Sequence, residues 1–345
     1  MVGAVVVRDG SIVGEGFHAL LGGPHAEVVA LEEAGERARG STVYVTLEPC
    51  SHHGRTPPCT DALVEARVAR VVACHRDPNP EVAGTGLERL RRAGVAVEVG
   101  ELADEAIRLN LPFVIRHALG RPAITLKWAM SLDGRIATVT GDSQWISGPE
   151  GRQSSLELRE AHDAILVGSG TALADDPRLN RRLGLADGSI LRVVLDRRLR
   201  LPRTSRMLSL EGPVLIYTEQ PSAARRRELE AAGAEVVDLG AGAVNPAAVV
   251  RDLGRRGVQS LLVEGGGEVH AAFVAARLYD RIIVDCAPLL VGGEGAPGPL
   301  RGQGVRHLGD APRLDSFKAT ACGEDILLEG FRSGCLQGLL SKLGG

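Results

Sequence analysis

The sequence predicts an α/β protein built as two domains, and three observations carry that prediction. The chain has 345 residues, more than one ordinary core holds and enough for two. Short apolar runs alternate with stretches of helical periodicity along most of its length. Its 44 glycines and 3% aromatic content suit a fold with many tight strand-to-helix turns.

Taken in order, residues 2–7 and 12–17 read as a hairpin around Asp9-Gly10, followed by a helix over about 25–39. Strand signals return at 42–46, a helix at 60–66, a strand at 70–73, a helix at 86–93 and a strand at 95–99. This first run reads as a layered α/β sandwich. The segment 111–122 carries Pro112 and ends in Gly120-Arg121-Pro122, after which a fresh strand begins at 123–130. The boundary therefore falls near residue 120, giving domains 1–120 and 121–345. Later strands are expected at 164–167, 191–195, 214–217, 235–238, 260–263 and 281–285, with helices between most of them. The tail 334–345 is short and glycine-flanked and yields no functional reading.

Composition narrows the function classes. With 44% hydrophobic residues, 24% charged residues and a net charge of -3, the chain carries no field that gathers polyanions, so nucleic acid is not an expected partner. No stretch approaches the roughly 20 apolar residues of a membrane span, and the N-terminus reads as a strand rather than a signal peptide. The six cysteines then point to a reducing compartment, the cytoplasm, where cysteines serve as metal ligands or buried small side chains. Small-molecule partners and assembly as a homo-oligomer are expected.

His25 and Glu27 open a predicted helix, while Cys50 follows a predicted strand in Leu47-Glu48-Pro49-Cys50 and Cys59 closes a loop rich in proline. One imidazole and two thiolates make a three-ligand zinc set that leaves a tetrahedral position open to water. Zinc brings the pKa of such a water toward about 7, and Glu27, two residues from the histidine, is placed for general acid/base work. Separately, each of these residues is an ordinary core or surface side chain; in this chain order they follow the zinc deaminase signature H-x-E…P-C-x-x-C. The second spacing departs from it, with eight residues between Cys50 and Cys59.

That longer loop, together with Asp77-Pro78-Asn79-Pro80, Val82-Ala83-Gly84 and Gly86, resembles the deaminase half of the bifunctional RibD family of riboflavin biosynthesis. The resemblance implies a diaminopyrimidinone substrate bearing a ribosylamino 5-phosphate. Arg55 in the loop is the candidate for its phosphate, set against a plain solvated arginine. Family members carry a leading helix and Asn-Pro-x-Val-Gly, where this sequence begins Met1-Val2-Gly3, so Met1 is expected to lie inside a longer natural chain.

Beyond residue 120, Leu126-Lys127, Ser131-Leu132-Asp133-Gly134-Arg135, Ser143-Gln144-Trp145-Ile146, Thr171 to Pro177 and Val263-Glu264-Gly265-Gly266-Gly267 resemble the reductase half of the same family. The resemblance implies a cytidine-deaminase-like three-layer α/β/α domain followed by a dihydrofolate-reductase-like α/β domain, with Zn2+ and NADPH as cofactors. A strand ending at Val263, three glycines and a helix starting near Glu268 suit a pyrophosphate. By resemblance Ala129, Trp145, Thr171, Asp175, Gly266, Gly267, Glu268, Val269, His270, Ala271 and Ala272 line the NADPH site. Arg197 either pairs with the 2′-phosphate or is a solvated member of the run Arg197, Arg198 and Arg200. The substrate side takes Ser143, Arg159, Leu179, Arg182 and Glu264. Lys127, Asp175 and Glu264 are candidates for the electrostatic work of hydride transfer.

Two other readings stay open on sequence alone. One is a deaminase of another base, which leaves the second half unexplained. The other is a reductase carrying a purely structural zinc, against which Glu27 beside the ligand set argues.

Overall fold

The computed structural model describes residues 1–20, 22–52, 57–80, 82–186, 188–242 and 244–343. It divides into two compact units, Met1–Gly120 with Gly334–Gly345, and Arg121–Ser333.

In the first unit the chain runs β1 (Gly3–Arg8), β2 (Ser11–Phe17), α1 (Ala26–Ala34), β3 (Thr42–Val45), α2 (Cys59–Glu65), β4 (Arg70–Ala73), α3 (Thr85–Arg92), β5 (Ala96–Val99), α4 (Ala103–Leu109) and α5 (Leu111–Leu119). The sheet order is β2-β1-β3-β4-β5, with β1 antiparallel to its neighbours and β3, β4 and β5 parallel. Val6, Val43 and Val71 on strands meet Ala30, Leu63 and Leu87 on helices in one core. α1 ends short of the predicted Arg39, because Gly35 takes a positive φ of 55° and the chain tightens into a 3-10 turn. Pro112 sits in the first turn of α5, where its missing N–H costs nothing.

The second unit runs β6 (Ala123–Ser131), α6 (Pro149–Glu160), β7 (Ala164–Gly168), α7 (Ser169–Asp175), β8 (Leu191–Leu195), β9 (Val214–Thr218), α8 (Ala223–Ala231), β10 (Ala234–Asp238), α9 (Pro246–Arg255), β11 (Ser260–Val263), α10 (Gly267–Ala275), β12 (Arg281–Ala287), β13 (Leu314–Cys322) and β14 (Asp325–Arg332). They form one sheet of order β10-β9-β8-β7-β11-β6-β12-β14-β13, parallel from β10 to β12 and antiparallel beyond. Successive side chains of β7 alternate between two cores, Ala164 and Leu166 in one, Ile165 and Val167 in the other. A strand covered on both faces therefore reads as an unbroken apolar run. β13 is half exposed at the sheet edge and lacks such a run, which is why the sequence does not announce it.

The tail departs from the expected division at 121–345. Residues 335–343 form α11 (Cys335–Leu343), which packs on α4 and α5 of the first unit through Cys335, Leu336, Leu339 and Leu343. Four apolar side chains at helical spacing need a core, and the first unit supplies it.

Candidate active sites

In the first unit, His25 caps α1, Glu27 lies in that helix's first turn, Cys59 opens α2 and Cys50 sits in the loop after β3. His25 Nδ1 is 2.8 Å from Cys59 Sγ and 3.4 Å from Cys50 Sγ, and the two sulfurs are 3.3 Å apart. Tetrahedral zinc, with Zn–S of about 2.3 Å and Zn–N of about 2.0 Å, sets its ligand atoms about 3.5–3.8 Å apart. The three donors thus need to spread by less than about 1 Å, most between His25 and Cys59, and their chemistry fits zinc. Cys59 also donates its backbone N–H to Cys50 Sγ at 3.2 Å. The Cys59 side-chain hydrogen bond brings the Cys50 thiol down to about 5, and the same contact, with burial, pushes Cys59 up. One thiol of the pair is therefore ready to act as a thiolate ligand. Glu27 is only 3% exposed, and burial raises its carboxyl. A carboxyl so placed takes up a proton more readily than a solvated one.

Glu48, two residues before Cys50, belongs to no part of the zinc motif that the sequence shows. Its side chain is 3% exposed and accepts four backbone N–H groups, Asp77 at 3.1 Å and Gly84 at 2.9 Å on Oε2, Gly86 at 2.9 Å and Leu87 at 3.3 Å on Oε1. This carboxylate clamps the Cys50 loop to the start of α3. The approach is so close that a Cβ on Gly86 would lie 1.9 Å from the Pro49 carbonyl oxygen, so only glycine fits there. A buried glutamate two residues before a ligand cysteine is the available signal, but its partners are backbone amides that no side-chain motif reveals. Arg55 lies outside the described residues.

In the second unit a cavity of about 1690 Å³ opens beyond the ends of β6, β7, β8 and β11. Ligand pockets span roughly 300–1,000 Å³, so the space suits a dinucleotide and a second ligand together. Ala129, Trp145, Thr171, Asp175 and Arg197 line it, as do Gly266, Gly267, Glu268, Val269, His270 and Ala272 at the start of α10. Ala271, expected with them, is not among the lining residues, since the helix turns it to another side. Gly266 has φ 78°, and a Cβ there would meet Thr171 Oγ1 at 3.2 Å. Trp145 is 69% exposed, with the Arg152 guanidinium 5.3 Å from its ring centroid. His270 is turned into the core, donating from Nε2 to the Val263 carbonyl at 3.2 Å. Burial raises the Asp175 carboxyl.

The substrate candidates Ser143, Arg159, Leu179, Arg182 and Glu264 also line the cavity. Arg159 and Glu264 are each other's partners, Nε to Oε1 at 2.9 Å and Nη2 to Oε2 at 2.6 Å. Burial alone pulls the Glu264 carboxyl up, but Arg159 outweighs it and holds the group below its ordinary value. Arg182 is lowered by burial and then by the neighbouring cations Arg159, Arg178 and Arg206. These arginines gather positive charge where an anion is expected. Leu179 contributes apolar wall, and Arg197, Arg198 and Arg200 stand together at the end of β8. Lys127, also lining the cavity, is ion-paired to Asp285 at 2.9 Å.

Fold and sites together define a zinc-binding deaminase region joined to an α/β reductase domain. Residues 1–75 match the cytidine and deoxycytidylate deaminase zinc-binding region, and residues 122–328 match the RibD C-terminal domain. The chain belongs to the RibD family, the bifunctional deaminase/reductases of riboflavin biosynthesis. It is 42% identical over 339 residues to the riboflavin biosynthesis protein RibD of Escherichia coli (strain K12), spanning 95% of this chain and 92% of that one. Among solved structures, form 1 of Acinetobacter baumannii RibD aligns with a TM-score of 0.81 at 38% identity, covering 96% of this chain and 92% of the other. The diaminohydroxyphosphoribosylaminopyrimidine deaminase/5-amino-6-(5-phosphoribosylamino)uracil reductase of Thermotoga maritima aligns at 0.79 with 36% identity, covering 96% and 91%. Among the described residues no helix is long and apolar enough to cross a membrane.

Proposed function

We propose that this chain deaminates 2,5-diamino-6-(5-phosphoribosylamino)pyrimidin-4-one by zinc-dependent hydrolysis and then reduces the ribosyl group of 5-amino-6-(5-phosphoribosylamino)uracil to ribityl with NADPH. The observation carrying the first step is the buried Glu27 beside the open His25, Cys50 and Cys59 set. Zinc, when bound there, supplies an acidified water, and NADPH, when bound in the second unit, supplies a hydride. Glu27 takes one proton from the water and passes it to the ring nitrogen, then carries the second, from the hydroxyl now on the ring carbon, to the departing ammonia. The hydrogen-bonded Glu48 keeps Cys50 in place while this occurs.

For the second step, the amides at the start of α10 with Ala129, Trp145, Thr171 and Asp175 hold the dinucleotide, and Arg197 takes its 2′-phosphate. Ser143, Arg159, Leu179, Arg182 and Glu264 orient the ribosyl phosphate, with Arg182 on the anion. Lys127 faces the reacting centre. The enzyme acts in the cytoplasm as a homo-oligomer of this chain, on small phosphorylated pyrimidines, and sedimentation of the purified protein reads its assembly.

A two-stage assay tests the reading. Ammonia release from the diaminopyrimidine phosphate by zinc-loaded protein, followed by NADPH oxidation on the deaminated product, is the expected result. Deamination of a free cytosine nucleotide in place of this substrate overturns it.

A further inference from the structure

Glu160 ends α6 and is buried, 7% exposed, yet it forms no ion pair among the described residues. Its Oε1 accepts the backbone N–H groups of Arg182 and Leu183, both at 2.9 Å, and its Oε2 accepts that of Ala186 at 3.2 Å. A carboxylate in the last turn of a helix meets the negative end of the dipole, and burying one without a cation is costly. α6 itself gains nothing from this side chain. The gain falls to the loop after α7, whose amides satisfy the carboxylate and hold it below its ordinary pKa.

That loop needs support. Asp176 and Leu179 take left-handed φ values of 38° and 48°, which residues other than glycine hold only where their surroundings over-determine them. Arg178, Arg182 and Arg206 line the cavity together, and with Arg159 they crowd Arg182 with like charge. Left to itself, such a loop relaxes its backbone and spreads its cations. Leu179 resists by packing into the core, and the Arg181 guanidinium donates to the carbonyls of Arg159 at 3.3 Å and His162 at 2.8 Å. Glu160 adds the three amide bonds that begin at Arg182 itself. Its neighbour Arg159 is fixed by the fork to Glu264. The end of α6 thus anchors two arginines of the proposed substrate site, one through its side chain and the other through its backbone.

We infer that Glu160 is a positioning residue of the reductase cavity, holding the 182–186 backbone so that Arg182 stands ready for the substrate's phosphate before any ligand arrives. The inference rests on the part proposed above for Arg182. A loop already in place spares the substrate the cost of ordering it and of pressing its cations together. Glu160 therefore acts on binding, through Arg182, and has no share in the chemistry.

Two measurements on the full chain, neither requiring turnover, test this role. In the unmodified, ligand-free protein, hydrogen exchange is expected to find the amides of Arg182, Leu183 and Ala186 protected about 10²-fold over free peptide, with ribose 5-phosphate adding less than about threefold. Glu160→Gln keeps the size but sets an NH2 group where backbone donors need an acceptor. By calorimetry it is expected to bind ribose 5-phosphate about tenfold more weakly, as for a loop competent about a tenth of the time, with NADP+ affinity kept within about twofold. Reductase KM for the pyrimidine should rise by a similar factor while kcat stays within about threefold. In an Arg182→Ala background Glu160→Gln is expected to cost no further affinity, because Glu160 acts through Arg182. Amides that exchange freely until ribose 5-phosphate is added, an unaltered affinity in Glu160→Gln, or losses that multiply in the double variant overturn the inference. If Glu160→Gln does not fold, the exchange of the unmodified protein decides. Unmodified protein that binds no ribose 5-phosphate counts against the proposed substrate site instead, and its ligand-free exchange still judges the clamp.

Discussion

The zinc pocket and the reductase cavity solve opposite problems. The pocket draws His25, Glu27, Cys50 and Cys59 from two helix starts and one loop and holds the three ligand atoms within 4.8 Å of one another. The cavity is lined by residues scattered from Lys127 to Arg301, most of them types found on any protein surface. Water activation by a metal demands a few rare side chains at fixed range. Hydride transfer between two bound organic molecules demands shape and field, which many residues supply in small shares. Chemistry in the first unit should thus fail all at once, and in the second by degrees.

The largest effect should follow from removing the metal. Chelation, or Cys59→Ser, is expected to abolish deamination while NADPH oxidation on the deaminated product continues at its original rate. Deaminase turnover that survives chelation, with zinc absent by elemental analysis, breaks the comparison at its root. Next is Glu27→Gln, which keeps volume and zinc content but removes the proton carrier. A loss of about 10³-fold in deaminase kcat is expected, within the range of general acid/base catalysis. Full activity with zinc retained reduces the metal to a structural role.

The same contrast explains what was legible in the sequence. His25, Glu27, Cys50 and Cys59 are readable because their spacing and rarity carry meaning before any fold is known. The doubly covered strands β7 to β9 are readable as apolar runs. Glu48, Asp285 and α11 are not, for a common reason: each is defined by long-range partners. Glu48 answers to amides at positions 77 to 87, Asp285 to a lysine more than 150 residues earlier, and α11 to helices more than 200 residues earlier. Likewise Ala271 follows its neighbours in sequence but not around the helix. Glu48 gives this a test of intermediate size. Glu48→Ala strands four amides, and with about 1–3 kcal/mol for each buried unsatisfied group, partly relieved by water, the first unit should lose roughly 3 kcal/mol or more. Zinc should bind more weakly and the unfolding of the second unit should stay where it is. A variant with unaltered zinc affinity shows that Cys50 holds its place without the clamp.

The smallest effect compares the units through acid. His162 and His270 in the second unit, and His75 in the first, are buried, and burial holds each below the ordinary 6.5. Burial outweighs hydrogen bonds that favour the charged ring, which His162 donates to the Leu158 carbonyl and His75 to that of Arg76. Above 6.5 neither folded nor unfolded chain carries the proton, and the stability is fully present. As pH falls below 6.5 the unfolded chain binds protons the folded one refuses, so stability drops, by at most about 1.4 kcal/mol per pH unit for each histidine, until the folded pKa is reached. Asp175, raised by burial, works the other way and trims the slope. Both tryptophans, Trp128 and Trp145, lie in the second unit, so their fluorescence follows its denaturant unfolding alone. Between pH 7 and 5.5 its stability is expected to decline, and His270→Gln should flatten that decline by up to half. A midpoint that ignores pH across this window would mean that His162 and His270 take up protons in the folded state, and that the floor of the cavity is far wetter than its packing against Val263 and Trp128 implies.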